Sequence, residues 1–275
     1  MGKALELVTG FVTFSNTAFV NIGGPAPGAM AAGNTLTVRN APLDSDVRLL
    51  QAWADVQFVG QFRIRSPRMH DNVHGIHMDT TVAAVVPLLP WSFPQKLVPQ
   101  DTLIAELAAA DAAGDIETLC MLIYYANLAG IDARLASVED VQRRMVNLVT
   151  VENTIALGAA GGYSGEEALN AEEDLLKANT DYALLGYLVD VECACVRWRG
   201  ADTGNLGVGG PGNPALRAIT KDWFVRLSRE LSLPLIPVFN SANRAGILID
   251  GAQDENGADT TVTSIFAEIG PSAAK

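Results

Sequence analysis

Charged side chains are scarce in this sequence. Asp, Glu, Lys and Arg make up 18% of its 275 residues, whereas hydrophobic residues make up 49%. The net charge of −12 argues against a protein that wraps nucleic acid, since that activity requires clustered Lys and Arg to neutralise phosphates. A surface with so little charge favours a protein that covers much of itself with other subunits.

Long apolar runs are also absent. The longest, Val82 to Trp91, is interrupted by Pro87 and Pro90 and is far shorter than the ~20 residues of a membrane-spanning helix. Met1 to Phe14 lacks the charged start and long apolar core of a secretory signal. The three cysteines provide no disulfide framework, which is typical of a reducing compartment. We therefore predict a protein that assembles in the cytoplasm and does not span a membrane.

The sequence does contain an internal repeat. Phe62 to Ser66 and Val196 to Gly200 lie 134 residues apart, and in each segment apolar residues alternate with Arg. This alternation is typical of a strand that buries one face and turns both arginines the other way. Upstream, the apolar runs Val47 to Val59 and Tyr182 to Cys195 also correspond. Downstream, each copy continues into a loop rich in Asp, Asn and Gly.

Each copy of the repeat ends in two further strand-like segments. In the first copy, Thr102 to Leu107 is followed by Leu119 to Tyr125. In the second, Gly246 to Asp250 is followed by Thr261 to Ile269. We interpret both pairs as hairpins, and Asn256-Gly257 is the dipeptide that a type I′ hairpin turn prefers. The sequence thus predicts one β domain written twice.

The repeat predicts an all-β fold with a few inserted helices. Ser137 begins a short helix that ends near Met145, which places a helical linker at 137–146 between domains at 1–136 and 147–275. Two more helices are predicted in the second domain, one from the capping-box pattern at Ser164 to about Ala178 and one over Pro214 to Leu231. Units of about 135 residues with about eight short strands fit two tandem jelly-roll β-sandwiches better than propellers or immunoglobulin domains.

The three histidines are the candidate metal ligands. His70, His74 and His77 lie close to Asp71 and Asp79, and neutral imidazole is a common ligand of zinc and iron. The alternative is a polar loop that enters a strand. His74 and His77 would then lie on opposite faces, and the His-x-His spacing of cupins is absent. We predict no catalytic residue and no cofactor, and keep the three histidines as the site to test.

Five arginines are candidate interface residues: Arg63, Arg65, Arg68, Arg197 and Arg199. As outward-facing residues of repeated strands they suit ion pairs with the acidic surface of a neighbouring copy, because the planar guanidinium is favoured at interfaces. The alternative is that they pair with Asp or Glu of the same chain. The sequence leaves both interpretations open.

Two jelly rolls in tandem with a short helical linker resemble the double jelly-roll major capsid proteins of tailless icosahedral viruses. The resemblance is carried by the duplication of Phe62 to Ser66 in Val196 to Gly200 and by the two terminal strand pairs. In that family both jelly rolls stand upright on the capsid, and three copies form a pseudo-hexagonal block. The resemblance implies a phage or other viral capsid protein of the virion that is assembled in the host cytoplasm.

The leading functional prediction is therefore a structural, self-assembling shell protein that is not an enzyme. Its partners would be further copies of itself and other capsid or membrane proteins, with no direct contact to nucleic acid. One alternative is a two-jelly-roll or cupin-like metal-dependent enzyme that uses His70, His74 and His77. Another is a carbohydrate-binding or adhesive module, which would need a stripe of exposed aromatics, whereas aromatics make up 7% of the chain and most lie in apolar runs.

Overall fold

The computed structural model describes residues 2–13, 19–21, 35–39, 42, 45–55, 60–69, 71–80, 86–109, 116–157, 161–169, 176–252 and 259–270. The strands of the first half are β1 (Gly2–Thr13), β2 (Val20–Asn21), β3 (Thr35–Thr37), β4 (Val47–Asp55), β5 (Gly60–Arg65), β6 (Ile76–Thr80), β7 (Val86–Pro87), β8 (Gln95–Leu97), β9 (Thr102–Ala109) and β10 (Ile116–Leu128). The later strands are β11 (Leu135–Ala136), β12 (Met145–Ile155), β13 (Glu167–Ala168), β14 (Asp181–Val189), β15 (Cys193–Arg199), β16 (Val208–Gly212), β17 (Ile236–Asn240), β18 (Leu248–Ala252) and β19 (Thr260–Ile269).

Each half consists of two antiparallel sheets with the same strand order. In the first half, β2 and β3 both pair with β9, and β7 and β8 both pair with β4, so each of these pairs counts as one interrupted strand. The first half then has eight strands. Numbered one to eight along the chain, they have the order 1-8-3-6 in one sheet and 2-7-4-5 in the other. Strands β12 to β19 repeat both orders. This is the order of a jelly roll, so the predicted fold of two tandem jelly rolls is confirmed.

The repeated Arg-containing segments occupy equivalent positions. β5 and β15 are each the fourth strand of their half, and each lies between the fifth and seventh strands. The runs upstream of them form β4 and β14, the third strand of each half. The alternation of apolar residues and Arg was therefore a correct indication of repeated strands.

The predicted terminal hairpins are wrong, although the strands themselves exist. β9 pairs with β5, whereas the strand that follows it, β10, pairs with β1 and β4 in the opposite sheet. In the second half β18 and β19 likewise lie in different sheets. The connection between the seventh and eighth strands of a jelly roll crosses from one sheet to the other, so neighbours in sequence do not pair. Asn256-Gly257 lies outside the described residues.

Helix α1 (Val138–Arg144) lies between the two sets of strands, and its predicted cap is confirmed. The Oγ atom of Ser137 accepts a hydrogen bond from the backbone N–H of Asp140 at 3.2 Å. Leu135 and Ala136, which the sequence-based boundary assigns to the first domain, pair with β17 of the second half.

The helix predicted over Pro214 to Leu231 is present in two parts. A 3-10 turn (Pro214–Leu216) leads into α2 (Arg217–Thr220), and α3 (Trp223–Leu231) follows after a break. At the break the backbone lies directly against Gly186 of β14, where a side chain would collide with it. Within the described part of the chain, no helix is long and apolar enough to cross a membrane.

The helix predicted to start at Ser164 is wrong where the structure describes it. Glu167–Ala168 is strand β13, which pairs with β18. The Ser164 hydroxyl accepts a hydrogen bond from the backbone N–H of Gly251 at 3.0 Å, so it serves the sheet rather than a helix cap. Residues 170–175 of the predicted helix lie outside the described residues. Pairing with β18 prevails here over a local capping signal.

Two clusters of buried side chains form the core. One fills the first jelly roll and includes Phe62, Leu103 and Met121. The other fills the second jelly roll and continues into first-half residues such as Trp53 and Leu122. The contact between the two halves is therefore packed like a protein interior.

Candidate assembly interface

The two jelly rolls meet through different faces. The outer face of the 1-8-3-6 sheet of the first half, built from β1, β10 and β4, lies against β15 and β16 in the 2-7-4-5 sheet of the second half. The indole N–H of Trp53 donates to the backbone carbonyl of Ala194 at 2.9 Å. The Thr9 hydroxyl donates to the Tyr163 hydroxyl at 2.6 Å. We call this contact, in which one half uses its 1-8-3-6 sheet and the other its 2-7-4-5 sheet, the intrachain junction.

The junction also covers the outer edge of β1. The backbone N–H of Leu7 donates to the carbonyl of Gly207 at 2.7 Å, and the N–H of Ala133 donates to the carbonyl of Lys3 at 2.8 Å. Both groups on β1 point away from β10, its partner in the sheet. The first strand of the first half is thereby protected from pairing with another chain.

A buried charged cluster lies at the centre of the junction on the second half. The guanidinium of Arg197 in β15 makes two hydrogen bonds to the carboxylate of Asp250 in β18, with Nε–Oδ1 at 2.6 Å and Nη2–Oδ2 at 2.7 Å. The same guanidinium lies 3.3 Å from the ring centroid of Tyr163. Burial lowers the pKa of Arg197, but the hydrogen bond to Asp250 and nearby charges outweigh burial and raise it overall. Arg197 therefore stays charged although it is buried.

The first half contains the same cluster in the equivalent place. Arg63 of β5 donates through Nε to the Oε2 atom of Glu106 in β9 at 2.6 Å, and its guanidinium lies 4.1 Å from the ring centroid of Phe19. In both halves the Arg comes from the fourth strand and the carboxylate from the directly opposite residue of the seventh strand. The aromatic residue precedes the second strand in both. We call these clusters the first and second triads.

Sequence reasoning missed four of the six triad members. Glu106 and Asp250 are 144 residues apart, and so are Phe19 and Tyr163. The equal spacing of these two pairs is the signal that was available. It does not stand out in the sequence because Glu and Asp, and Phe and Tyr, are conservative rather than identical replacements.

The two triads differ in how far they are covered. The side chain of Arg197 is 5% exposed, whereas that of Arg63 is 20% exposed. The prediction that Arg197 turns outward toward another copy is wrong, because the first jelly roll covers it. Burial raises the pKa of Glu106, but hydrogen bonds from Arg65 and Arg63 hold it below the ordinary value of 4.5.

The other predicted interface arginines lie near the same faces. Arg65 donates to Glu106 at 2.8 Å, and Arg199 forms an ion pair with Glu166. Arg68 is exposed in the turn after β5. Pairing within the chain thus accounts for Arg65 and Arg199 as it does for Arg63 and Arg197, while contacts with another copy stay a prediction.

The histidines do not converge on one point in the described part of the chain. His74 is exposed in a turn, with its Nδ1 atom 3.1 Å from a carboxylate oxygen of Asp71. Backbone hydrogen bonds from His74 and Val73 lower the pKa of Asp71. His77 is exposed on β6, and His70 lies outside the described residues. The described residues contain no group of three His, Cys, Asp or Glu side chains placed to hold a metal ion.

The second half exposes the counterpart of the face that the first half buries. β12, the first strand of the second half, carries Met145, Val146 and Leu148, which are 43%, 60% and 58% exposed. Among the described strands, only β19 pairs with β12. Neither Lys nor Pro protects this edge, although those residues are a common defence of exposed edges.

A shallow cavity extends this surface toward helix α2. Its volume is about 310 Å³, and its lining includes Glu152, Leu188, Thr263 and Arg217. Leu188 and Thr263 are directly opposite each other on β14 and β19, so both project from the outer face of the sheet with Glu152. We call the exposed outer surface of β12 and β19, bordered at β14 by α2, the open face, and the outer surface of β5, β6 and β9 the first triad face.

Comparison with known proteins identifies no family. No protein-family model matches the chain, and no curated protein matches it. One similar solved structure is the cupin 2 conserved barrel domain protein from Leptotrichia buccalis, which is 9% identical over 94% of this chain and 92% of that chain, with a TM-score of 0.18. A TM-score this low supports no conclusion about shared fold or activity.

Proposed function

We propose that this chain is a structural protein that assembles into a shell, as the double jelly-roll major capsid proteins do. The observation that carries the proposal is the presence of the same jelly roll twice in one chain, with a large apolar junction between the copies and an unprotected apolar edge on β12. Exposed apolar stretches of an edge strand are sites at which chains pair with one another.

The composition supports the same proposal. Charged residues make up 18% of the chain, so much of its surface consists of uncharged groups that can be covered by other copies. The net charge of −12 suits a shell that stands away from nucleic acid. In the proposed assembly three copies, each with two jelly rolls, form a block with six similar positions, and such blocks tile the shell of a virion.

The proposal is tested by the mass and shape of the purified full chain. Size-exclusion chromatography with light scattering should give a trimer or a larger assembly of the 29.1 kDa chain, and negative-stain images should show hexagonal blocks or closed particles. A monomer that persists across a wide range of protein concentration and ionic strength would contradict the proposal.

A further inference from the structure

We propose that a second copy of this chain docks head to tail, so that the first triad face of one copy covers the open face of the next. The partner is thus identical to the chain itself, and the two contacting surfaces are different. This inference rests on the proposed self-assembly and specifies which surfaces carry it.

The intrachain junction is not symmetric. The first half contributes the outer face of its 1-8-3-6 sheet, and the second half contributes the outer face of its 2-7-4-5 sheet, around Arg197. Each jelly roll has one face of each kind. The intrachain junction therefore uses two of the four faces and leaves the other two, the open face and the first triad face.

The two remaining faces are counterparts of the two faces that already pack together in the junction. Gln61 and Arg63 occupy the positions in β5 that Cys195 and Arg197 occupy in β15, where both are buried against the first half. The open face contains the first and eighth strands of the second half, as the face buried in the junction contains those of the first half, whereas the third strand β14 is covered at Gly186 by the α2–α3 break. Equivalent surfaces on equivalent frameworks can repeat the same contact between chains.

The open face carries exposed apolar side chains on an edge strand. Val146 and Leu148 are 60% and 58% exposed on a strand whose edge pairs with no other described strand. In the first half, residues 4–11 of the equivalent strand β1 are buried, and its edge is closed by Gly207 of the other jelly roll. A neighbouring copy that repeats this contact would remove the apolar side chains of β12 from water and protect its edge.

A head-to-tail contact has a consequence that a two-fold contact lacks. Its two surfaces can be disabled separately, and each copy then keeps one intact surface. Copies joined in this way form a ring if the rotation closes and a filament if it does not.

The experiment uses two variants of the full chain, Leu148→Glu on the open face and Gln61→Lys on the first triad face. Both residues are exposed, so neither substitution disturbs the core. The matched control is Phe93→Glu, because Phe93 is 76% exposed in the turn between β7 and β8 and lies on neither face. Far-ultraviolet circular dichroism and thermal unfolding check that all three fold as the wild type does.

Light scattering should show that each face variant alone is a monomer of 29.1 kDa, while the control assembles as the wild type does. An equimolar mixture of the two face variants should form a heterodimer of twice that mass and nothing larger, because one intact pair of surfaces remains.

The inference fails if wild-type chains assemble and Leu148→Glu assembles equally well, although the proposed function would then stand. It also fails if Leu148→Glu is monomeric but Gln61→Lys assembles normally and the mixture gives no heterodimer, since β12 would then pair with itself. A monomeric wild type would overturn the proposed function and this inference together.

Discussion

The two triads permit a matched test of how burial changes the contribution of an ion pair to the free energy of unfolding. The perturbations are Asp250→Asn in the second triad and Glu106→Gln in the first. Each replaces a carboxylate by an amide of nearly the same shape, so packing is conserved and the charge is lost. The two sites share strand positions and an Arg partner. They differ in that the other jelly roll covers only the second, and in that Glu106 also pairs with Arg65.

The structure sets the expected magnitudes. Arg197 and Asp250 are 5% and 4% exposed, so Asp250→Asn leaves a buried guanidinium without its carboxylate. Removal of one partner from a buried pair destabilises by about 3–5 kcal/mol. Arg63 and Arg65 are 20% and 27% exposed and can turn toward water, so Glu106→Gln should cost about 1 kcal/mol or less, as at partly exposed pairs.

Urea unfolding monitored by tryptophan fluorescence measures both costs. Trp53 and Trp223 are fully buried at or near the junction and Trp198 is fully buried in the second jelly roll, so their emission reports the loss of these regions. The double variant Arg197→Met with Asp250→Leu provides a control, because it removes both charges and should recover most of the stability lost in Asp250→Asn.

Equal costs at the two sites would refute this expectation when both are measured in the monomeric Leu148→Glu background, in which no neighbouring copy covers the first triad. The expectation would also be refuted if the double variant were no more stable than Asp250→Asn, because the loss would then arise from packing and not from a buried charge without its carboxylate. If two-jelly-roll unfolding occurs in two steps, the comparison applies to the step in which the junction opens.

Three further predictions concern the junction and the dependence of stability on pH. Trp53→Phe removes the indole donor to a buried carbonyl and should destabilise by about 1–3 kcal/mol in the same urea assay. Gly210→Ala places a methyl group against the Tyr187 hydroxyl and about 2.8 Å from the indole of Trp223, and should cost about 1–3 kcal/mol, whereas Gly165→Ala, with no atom within 4 Å, should be nearly neutral. The pKa values of Glu106 and Asp181 lie below their ordinary values of 4.5 and 3.8. The stability that the two carboxylates contribute is therefore present above the ordinary values and is lost as pH falls through the lower, folded-state pKa values. Thermal unfolding between pH 7 and pH 3 should show a falling midpoint. A midpoint that stays constant over that range would contradict the last prediction.

The sequence was informative where a pattern is local. The alternation in Phe62 to Ser66 and Val196 to Gly200 identifies two strands because a two-residue period arises within a single strand. The cap at Ser137 is equally local. The strand pairing at the end of each copy is not local, because it depends on which sheet a strand enters after the connection, and the interpretation as hairpins was wrong for that reason.

The burial of Arg197 could not be predicted from the sequence, because it also depends on a contact between segments that are distant in sequence. The patterns around Arg63 and Arg197 are nearly the same, yet one guanidinium is partly exposed and the other is buried. The difference arises from the placement of one jelly roll on the other. The Ser164 pattern shows the same limit, since its hydroxyl is used by a strand that is distant in sequence.

The first strands of the two halves show how an assembly surface is distinguished from a solvent surface. Ala4 and Val8 of β1 pack into the first jelly roll, while Leu5 and Leu7 pack into the junction, so the strand is apolar on both faces because both faces are covered. In β12 the outward residues near the C-terminal end are polar and exposed, as solvated positions should be, whereas those near the N-terminal end are the apolar residues of the open face. Exposure alone would favour polar residues along the whole strand. The change along one strand therefore supports a contact that covers the N-terminal part of β12 and leaves its C-terminal part in water.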